Sequence, residues 1–462
     1  MVMAKPGACF KAYDIRGRVP EELDAEGARR IGRAYAAQVR PGGPVAVGRD
    51  VRHSSRVLAE AVIRGLNEMG VDTVDLGLCG TEMVYFAAAG TGMGGGIMVT
   101  ASHNPAGYNG MKLVREGARP ISGDSGLQEM AALVARAELP AADRHPGRNR
   151  PDDVMPAYAA AVRAFVDPSR LKPLHVVVNA GNGCAGPALD AITAPLPLRI
   201  TRIRHAPNGD FPNGIPNPLL PENRAATAAA VVRHGADLGV AWDGDFDRCF
   251  LFDERGEFIE GYYMVGLLAS ALLEQHPGDR ILHDPRLVWN TVEMVRAAGG
   301  VPIRSKTGHA FIKERMWRED ALYGGEMSAH HYFREFAYCD SGMIPWLLVA
   351  SLMSRTGKPL SSLVADRQRA FPCSGEINFT VADPPATIER VRNHFAPQRP
   401  ETDRTDGLGM EFAQWRFNLR SSNTEPLLRL NVESRGDPNL LQRMTAELTR
   451  LIRTPTKNGG AS

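Results

Sequence analysis

The sequence predicts an α/β protein: three related α/β domains with mixed sheets, followed by a C-terminal α+β domain. Three observations predict it. One rhythm of strand, loop, helix and strand occurs three times, in the segments beginning at 44, 174 and 280. That pitch is the βαβ signal of a parallel or mixed sheet covered by helices. Residues 139–156, LPAADRHPGRNRPDDVMP, hold four prolines and little apolar content, which marks a linker. Beyond about 370 the rhythm stops and short alternating strands take over.

Taken in order, PVAVGRD (44–50) is an apolar run that breaks into a polar loop. Ser55–Met69 then places Val57, Leu58, Val62, Ile63 and Leu66 at helical spacing, and VDTVDLG returns as a strand. LHVVVNAGNGCAGPALDAI (174–192) and RILHDPRLVWNTVEMVRAAGGVPI (280–303) repeat the plan. A second boundary follows the DERGE turn near 250–260, and a third lies near 355–370, after the apolar helix WLLVASLM. INFTV, WRFNLR and LLRLNVES read as strands, TIERVRNHF and LLQRMTAELTRLI as helices, and the final TPTKNGGAS as disordered. The expected domains are 1–150, 151–253, 254–366 and 367–462.

Composition narrows the class. The chain has 462 residues, 44% hydrophobic, with 54 Lys+Arg against 52 Asp+Glu for a formal charge of +2. A disordered chain would lack that apolar fraction, and 47 glycines with 33 prolines exclude a coiled coil. The balance of charge gives no support to nucleic acid or an anionic membrane as partner. Six scattered cysteines, without a CxxC pair, read as free thiols in a reducing compartment. No signal-peptide h-region is visible, and no apolar stretch reaches the ~20 residues of a membrane span. A soluble, cytoplasmic monomer is expected.

Four loops carry chemistry. In IMVTASHNPAGYNGMKLV (97–114), Ser102 stands beside His103 and within reach of Lys112 on the next strand, the ingredients of an activated nucleophile. An ordinary Ser/Asn turn is the alternative. In GVAWDGDFDRCFLFDE (239–254), Asp243, Asp245 and Asp247 alternate directly after an apolar strand. Three carboxylates so close need a cation. Glu254 falls at position 12 of an EF-hand count, but Arg248 stands where that loop needs glycine and 249–252 is apolar strand, so the EF-hand is a decoy. A divalent metal with open positions suits a bound phosphate, and Arg248 adds a second cation there.

The third loop, LYGGEMSAHHYF (322–333), offers Glu326, Ser328, His330 and His331 among aromatics, groups suited to reading sugar hydroxyls. KTGHAFIK upstream adds Lys306 and His309. In the fourth, FNLRSSNTEPLLRL (417–430), Arg420, Ser421, Ser422, Asn423 and Thr424 sit in one turn with Arg429 on the returning strand. That is a phosphate cradle or, in the bland alternative, a hydrophilic hairpin. Together the four loops suit phosphoryl transfer on a phosphorylated sugar.

T-A-S-H-N-P, D-G-D-F-D-R, G-E-M-S-A-H and R-S-S-N-T-E-P, in this order, resemble the α-D-phosphohexomutase family. The likeness runs from KAYDIRG (11–17) to RLNVESRG (429–436) and is nearest to the bacterial branch acting on mannose and glucose phosphates. It implies four domains around a central cleft, an isomerase of carbohydrate metabolism that feeds polysaccharide precursors. By this likeness Ser102 is carried as a phosphoserine, and Asp243, Asp245, Asp247 and a phosphoserine oxygen hold Mg2+. Arg16, His103, Lys112 and Arg248 surround the transferring group, with Lys112 the candidate acid or base. Tyr13, Arg286, Lys306, His309, Glu326, Ser328 and His330 contact the sugar or its phosphate. Arg420, Ser422, Asn423, Thr424 and Arg429 hold the phosphate that is not reacting.

The implied reaction converts a hexose 1-phosphate to a 6-phosphate through a bound 1,6-bisphosphate, which also acts as activator. A closing fourth-domain loop would use the linker near 365 as its hinge. A glucosamine-phosphate mutase of the same family, a sugar-phosphate phosphatase and a non-catalytic sugar-phosphate binder are the alternatives.

Overall fold

The computed structural model describes residues 7–136, 143, 145–421 and 427–454. The chain divides into two compact units. The first comprises the described residues of Met1–Ile259, Gly308–Tyr323 and Ser328–Ser361; the second comprises those of Glu260–Thr307, Gly324–Met327 and Ser362–Ser462.

The first unit opens with a six-stranded mixed sheet in the order Ile15–Arg18, Tyr108–Arg115, Gly95–Val99, Val45–Arg49, Thr73–Leu78, Asn149–Pro151. The central strands are parallel, and Tyr108–Arg115 runs antiparallel to both its neighbours. Helices Ala25–Val39 and His53–Glu68 arise where apolar residues recur at helical spacing. Asp24 caps the first by accepting from the Gly27 N–H at 2.7 Å. The two helices meet backbone to backbone. A Cβ at Gly32 would lie 2.4 Å from the Val62 carbonyl, and one at Gly65 would lie 2.1 Å from that of Arg29, so both positions need glycine.

A second sheet follows the order Phe258–Ile259, Cys249–Phe252, Leu238–Trp242, His175–Asn179, Arg199–Ile203. The expected strand–helix–strand at 174 is present as His175–Asn179, Ala185–Thr193 and Arg199–Ile203. His175–Asn179 and Leu238–Trp242 are buried throughout, which is why they read as continuous apolar runs.

In the second unit Arg280–His283 pairs in parallel with Val301–Arg304 across helix Trp289–Ala297, the third copy of the rhythm. The C-terminal sheet is antiparallel, in the order Ile377–Phe379, Leu428–Ser434, Trp415–Ser421, Leu408–Glu411, Glu401–Asp403. Helices Pro384–Phe395 and Pro438–Arg453 pack on it through Val391, Phe395, Leu448 and Ile452. The strands Glu401–Asp403 and Leu408–Glu411 went unread, because three and four residues are too few to show alternation.

One expectation is corrected. Residue 365 lies inside the helix Leu360–Ala370, whose backbone hydrogen bonds do not suit a hinge. The break in regular structure comes later, in residues 371–376. All six cysteines are free. Among the described residues no helix is long and apolar enough to cross a membrane. Of the final TPTKNGGAS (454–462), expected to be disordered, residues 455–462 lie outside the described residues.

Candidate active site

The buried strand Gly95–Val99 delivers the chain into the serine loop. Ser102 adopts φ 46°, a left-handed conformation that a β-substituted residue holds only when its surroundings insist. Those surroundings are explicit. Its N–H donates to Thr100 Oγ1 at 2.9 Å, and that hydroxyl donates to Asp50 at 2.8 Å. The Arg52 guanidinium donates to the carbonyls of Ser102, Asn104, Pro105 and Tyr108 at 2.6–3.0 Å. Arg16 adds bonds to the Ala101 carbonyl (2.6 Å) and Asn104 Oδ1 (2.5 Å), and is itself paired with Asp14.

Thus held, the Ser102 hydroxyl donates to Asp243 Oδ2 at 2.6 Å and lies 3.1 Å from His103 Nδ1. Arg248 Nε is 3.6 Å from the same Asp243 oxygen. Gly244 lets the aspartate loop come this close, since a Cβ there would stand 2.7 Å from the Ser102 carbonyl.

Asp243, Asp245 and Asp247 are all fully buried. One oxygen of each is used: Asp243 by Ser102, Asp245 by Thr81 (2.5 Å) and Lys112 (2.7 Å), and Asp247 by Lys112. The Oδ1 atoms of all three are buried without a hydrogen-bond partner. Leaving three carboxylate oxygens so would be costly. The triad offers one oxygen from each residue, all within 4.8 Å of one another, and hard oxygen donors at this spacing fit a divalent cation. Burial and the neighbouring Asp247 and Asp245 push the Asp243 carboxyl up to about 7. Burial acts the same way on Asp245, but Lys112 outweighs it and lowers that carboxyl. Burial would deprotonate Lys112, yet Asp245 and Asp247 win and hold its proton firmly.

A histidine cluster borders the triad. His330 Nδ1 lies 3.0 Å from Asp340 Oδ2 and 4.0 Å from Asp247 Oδ1, while Lys313 holds the other Asp340 oxygen at 3.0 Å. His309 opens helix His309–Glu319, with its ring edge-to-face to Tyr13 at 5.1 Å. Burial and Lys313 keep His309 neutral.

Arg286, Lys306, Glu326, Arg420 and Arg429 lie in the second unit. Arg286 lies 2.8 Å from Asp284 and 3.4 Å from both Glu326 and Glu376. Arg420 and Arg429 stand directly opposite each other on paired strands, each 3.3 Å from Glu376. Lys306 is exposed in this unit, and Ser328 is half-buried in the first. Ser422, Asn423 and Thr424 lie outside the described residues. Sequence reading missed Asp50, Arg52, Thr81, Asp340 and Glu376. Their signals were single polar residues, and only long-range contacts give them a role.

Four models of the phosphoglucomutase/phosphomannomutase family match consecutive parts of the chain. Its α/β/α domain I covers residues 7–140, domain II 156–256, domain III 260–371, and the C-terminal domain 376–451. The chain belongs to this family. It is a mutase that interconverts hexose phosphates. It is 60% identical over 448 residues to a protein of Xanthomonas campestris pv. campestris named phosphohexose mutases, covering 96% of this chain and 99% of that one. It is 59% identical to a phosphomannomutase of Salmonella montevideo, covering 96% and 98%. A crystal structure of a phosphoglucomutase/phosphomannomutase family protein from Burkholderia thailandensis superposes with a TM-score of 0.86 at 32% identity, covering 96% and 97%.

Proposed function

We propose that the chain interconverts the 1- and 6-phosphates of mannose and glucose, with Ser102 carried as a phosphoserine that donates and takes back the phosphoryl group. The observation that carries this reading is the juxtaposition of the Ser102 hydroxyl, 2.6 Å from Asp243, with three buried aspartates that each keep one unpartnered oxygen. Asp243, Asp245 and Asp247 would hold Mg2+, which supplies charge stabilisation to the transferring phosphoryl group when bound.

The chain's own groups do the rest. Arg16 and Arg52 fix the serine loop, while Arg248 and Lys112 present positive charge beside Ser102 and the triad. Two carboxylates hold the proton of Lys112, so its part is that of a fixed cation rather than a base. His330, backed by Asp340, is the neighbouring group placed to take the proton from the attacking sugar hydroxyl. Glu326 and Ser328 read the 3- and 4-hydroxyls, which mannose and glucose share. Arg420 and Arg429 hold the phosphate that does not react, and a 1,6-bisphosphate turns over in place between the two transfers. The domains 1–150, 151–253, 254–366 and 367–462 would each contribute one of the four loops.

A coupled assay with mannose 1-phosphate and glucose 1-phosphate, beside intact-mass analysis, tests this reading. Turnover of both sugars and one phosphate located on Ser102 are expected. Release of inorganic phosphate instead of isomerisation, or a preference for glucosamine phosphate, would overturn it.

A further inference from the structure

We propose that Glu376 is a built-in counter-anion of the arginine cluster, a carboxylate that the sugar's non-reacting phosphate must displace, and that it thereby limits how tightly that phosphate is gripped. The inference rests on the mutase reading above, in which one phosphate end must be let go each time the bisphosphate turns.

Arg420 and Arg429 are cross-strand partners, and like charges directly opposite destabilise a sheet. Arg286 adds a third guanidinium. The Glu376 side chain, 6% exposed, places its carboxylate among all three. Its Oε2 is 3.4 Å from Arg286 and 3.3 Å from Arg420, and its Oε1 is 3.3 Å from Arg429. Charge-assisted fork contacts run at ~2.7–2.9 Å, so among the described residues Glu376 shares two oxygens between three donors, at 3.3–3.4 Å, and makes none of the short bonds a phosphate could make.

Arg286 has other carboxylates, Asp284 at 2.8 Å and Glu326 at 3.4 Å, and stays anchored when Glu376 lets go. For Arg420 the next carboxylate among the described residues is Asp406, at 4.0 Å. Burial opposes the Glu376 charge, but Arg429, Arg286 and Arg420 keep it ionised. A buried carboxylate that is fully charged and loosely bonded has the properties of a displaceable guest. A phosphate dianion with three oxygens displaces it; a singly charged carboxylate ligand gains little by the exchange.

Calorimetric binding of inorganic phosphate to the full-length protein tests this without relying on activity. Glu376→Gln removes the competing charge at nearly constant volume and should tighten phosphate binding about tenfold. For glucose 1-phosphate it should lower KM and kcat together, because release for turning becomes slower. Glu376→Asp keeps the charge and should return phosphate affinity toward wild type. If Glu376→Gln does not fold, Glu376→Ala gives the same reading. Combining Glu376→Gln with Arg420→Ala should abolish the gain, which places it at this cluster. Unchanged or weaker phosphate binding by Glu376→Gln would overturn the inference, since a carboxylate that merely aligns the arginines predicts that result. Tighter phosphate binding in a protein without mutase activity would instead overturn the mutase reading and leave the counter-anion standing.

Discussion

The hydroxyl oxygen of Ser102 lies 2.6 Å from Oδ2 of Asp243, although 141 residues separate them. The loop of one sheet thus meets the loop of another within the first unit, each rising from the end of a fully buried strand. A hydroxyl bonded to a carboxylate whose second oxygen has no partner is poised to be exchanged for a more highly charged group and its counter-cation. Five expectations follow from this arrangement and its surroundings.

Ser102→Ala should reduce mutase activity by at least about a thousandfold, because among the described residues no other hydroxyl bonds Asp243. Steady-state assays with glucose 1-phosphate check the loss. Mass analysis should show the wild-type phosphate missing from the variant.

Divalent metal should stabilise the protein as well as activate it. Three buried carboxylates with unpartnered oxygens repel one another, and a cation bound only by the folded state raises Tm by mass action. Chelator should abolish activity and lower Tm, and added Mg2+ should restore both. Asp243→Asn, by removing one ligand charge, should raise the Mg2+ concentration needed for half activity by about tenfold or more.

Gly244→Ala should lower kcat with little change in KM. Its Cβ would enter to 2.7 Å of the Ser102 carbonyl, and the serine loop must give way. Overpacking of this kind costs about 1–3 kcal/mol, and misplacement of a reacting atom costs about a hundredfold in rate. Melting curves and kinetics on the same preparation separate the two effects.

Glu82 supplies a pH dependence of stability. This fully buried carboxyl accepts hydrogen bonds from Tyr158 and the Gly342 N–H, and burial raises its pKa to about 8. Because the folded state then binds the proton more tightly than the unfolded chain, stability falls as pH rises from the ordinary carboxylate range to about 8. Wild-type stability should fall between pH 5 and 8 by on the order of a few kcal/mol, read as a declining Tm. Glu82→Gln should flatten that decline. An equal slope in the variant would rule Glu82 out as its source.

Glu326→Ala should reduce activity on mannose and glucose phosphates in parallel, by about 10–1000-fold, because a carboxylate reading hydroxyls common to both sugars does not distinguish carbon 2. Loss confined to one sugar would show that Glu326 senses the epimeric centre instead.

The most legible parts of the sequence were those with local causes. Continuous apolar runs announced the buried strands Val45–Arg49, His175–Asn179 and Leu238–Trp242, and helical spacing announced His53–Glu68. The helix Leu360–Ala370 is less so: it follows the SRTGKP turn closely, and a turn signal there suggests a linker. At the site, the alternating aspartates declared a cation because their mutual repulsion is a short-range fact of spacing. Arg52 and Glu376 were silent. An arginine that bonds four carbonyls and a carboxylate shared by three guanidiniums look, in sequence, like any surface charge.

By itself the sequence determined the strand-and-helix rhythm, the four chemical loops and the family to which they point, because each depends on residues a few positions apart. Only the tertiary structure decided which oxygen of each aspartate is engaged, that Lys112 is held as a cation by Asp245 and Asp247, and that Glu376 occupies the arginine cluster. Those are matters of charge in a buried environment. There the energy is set by distance and desolvation, and neighbours far apart along the chain determine both.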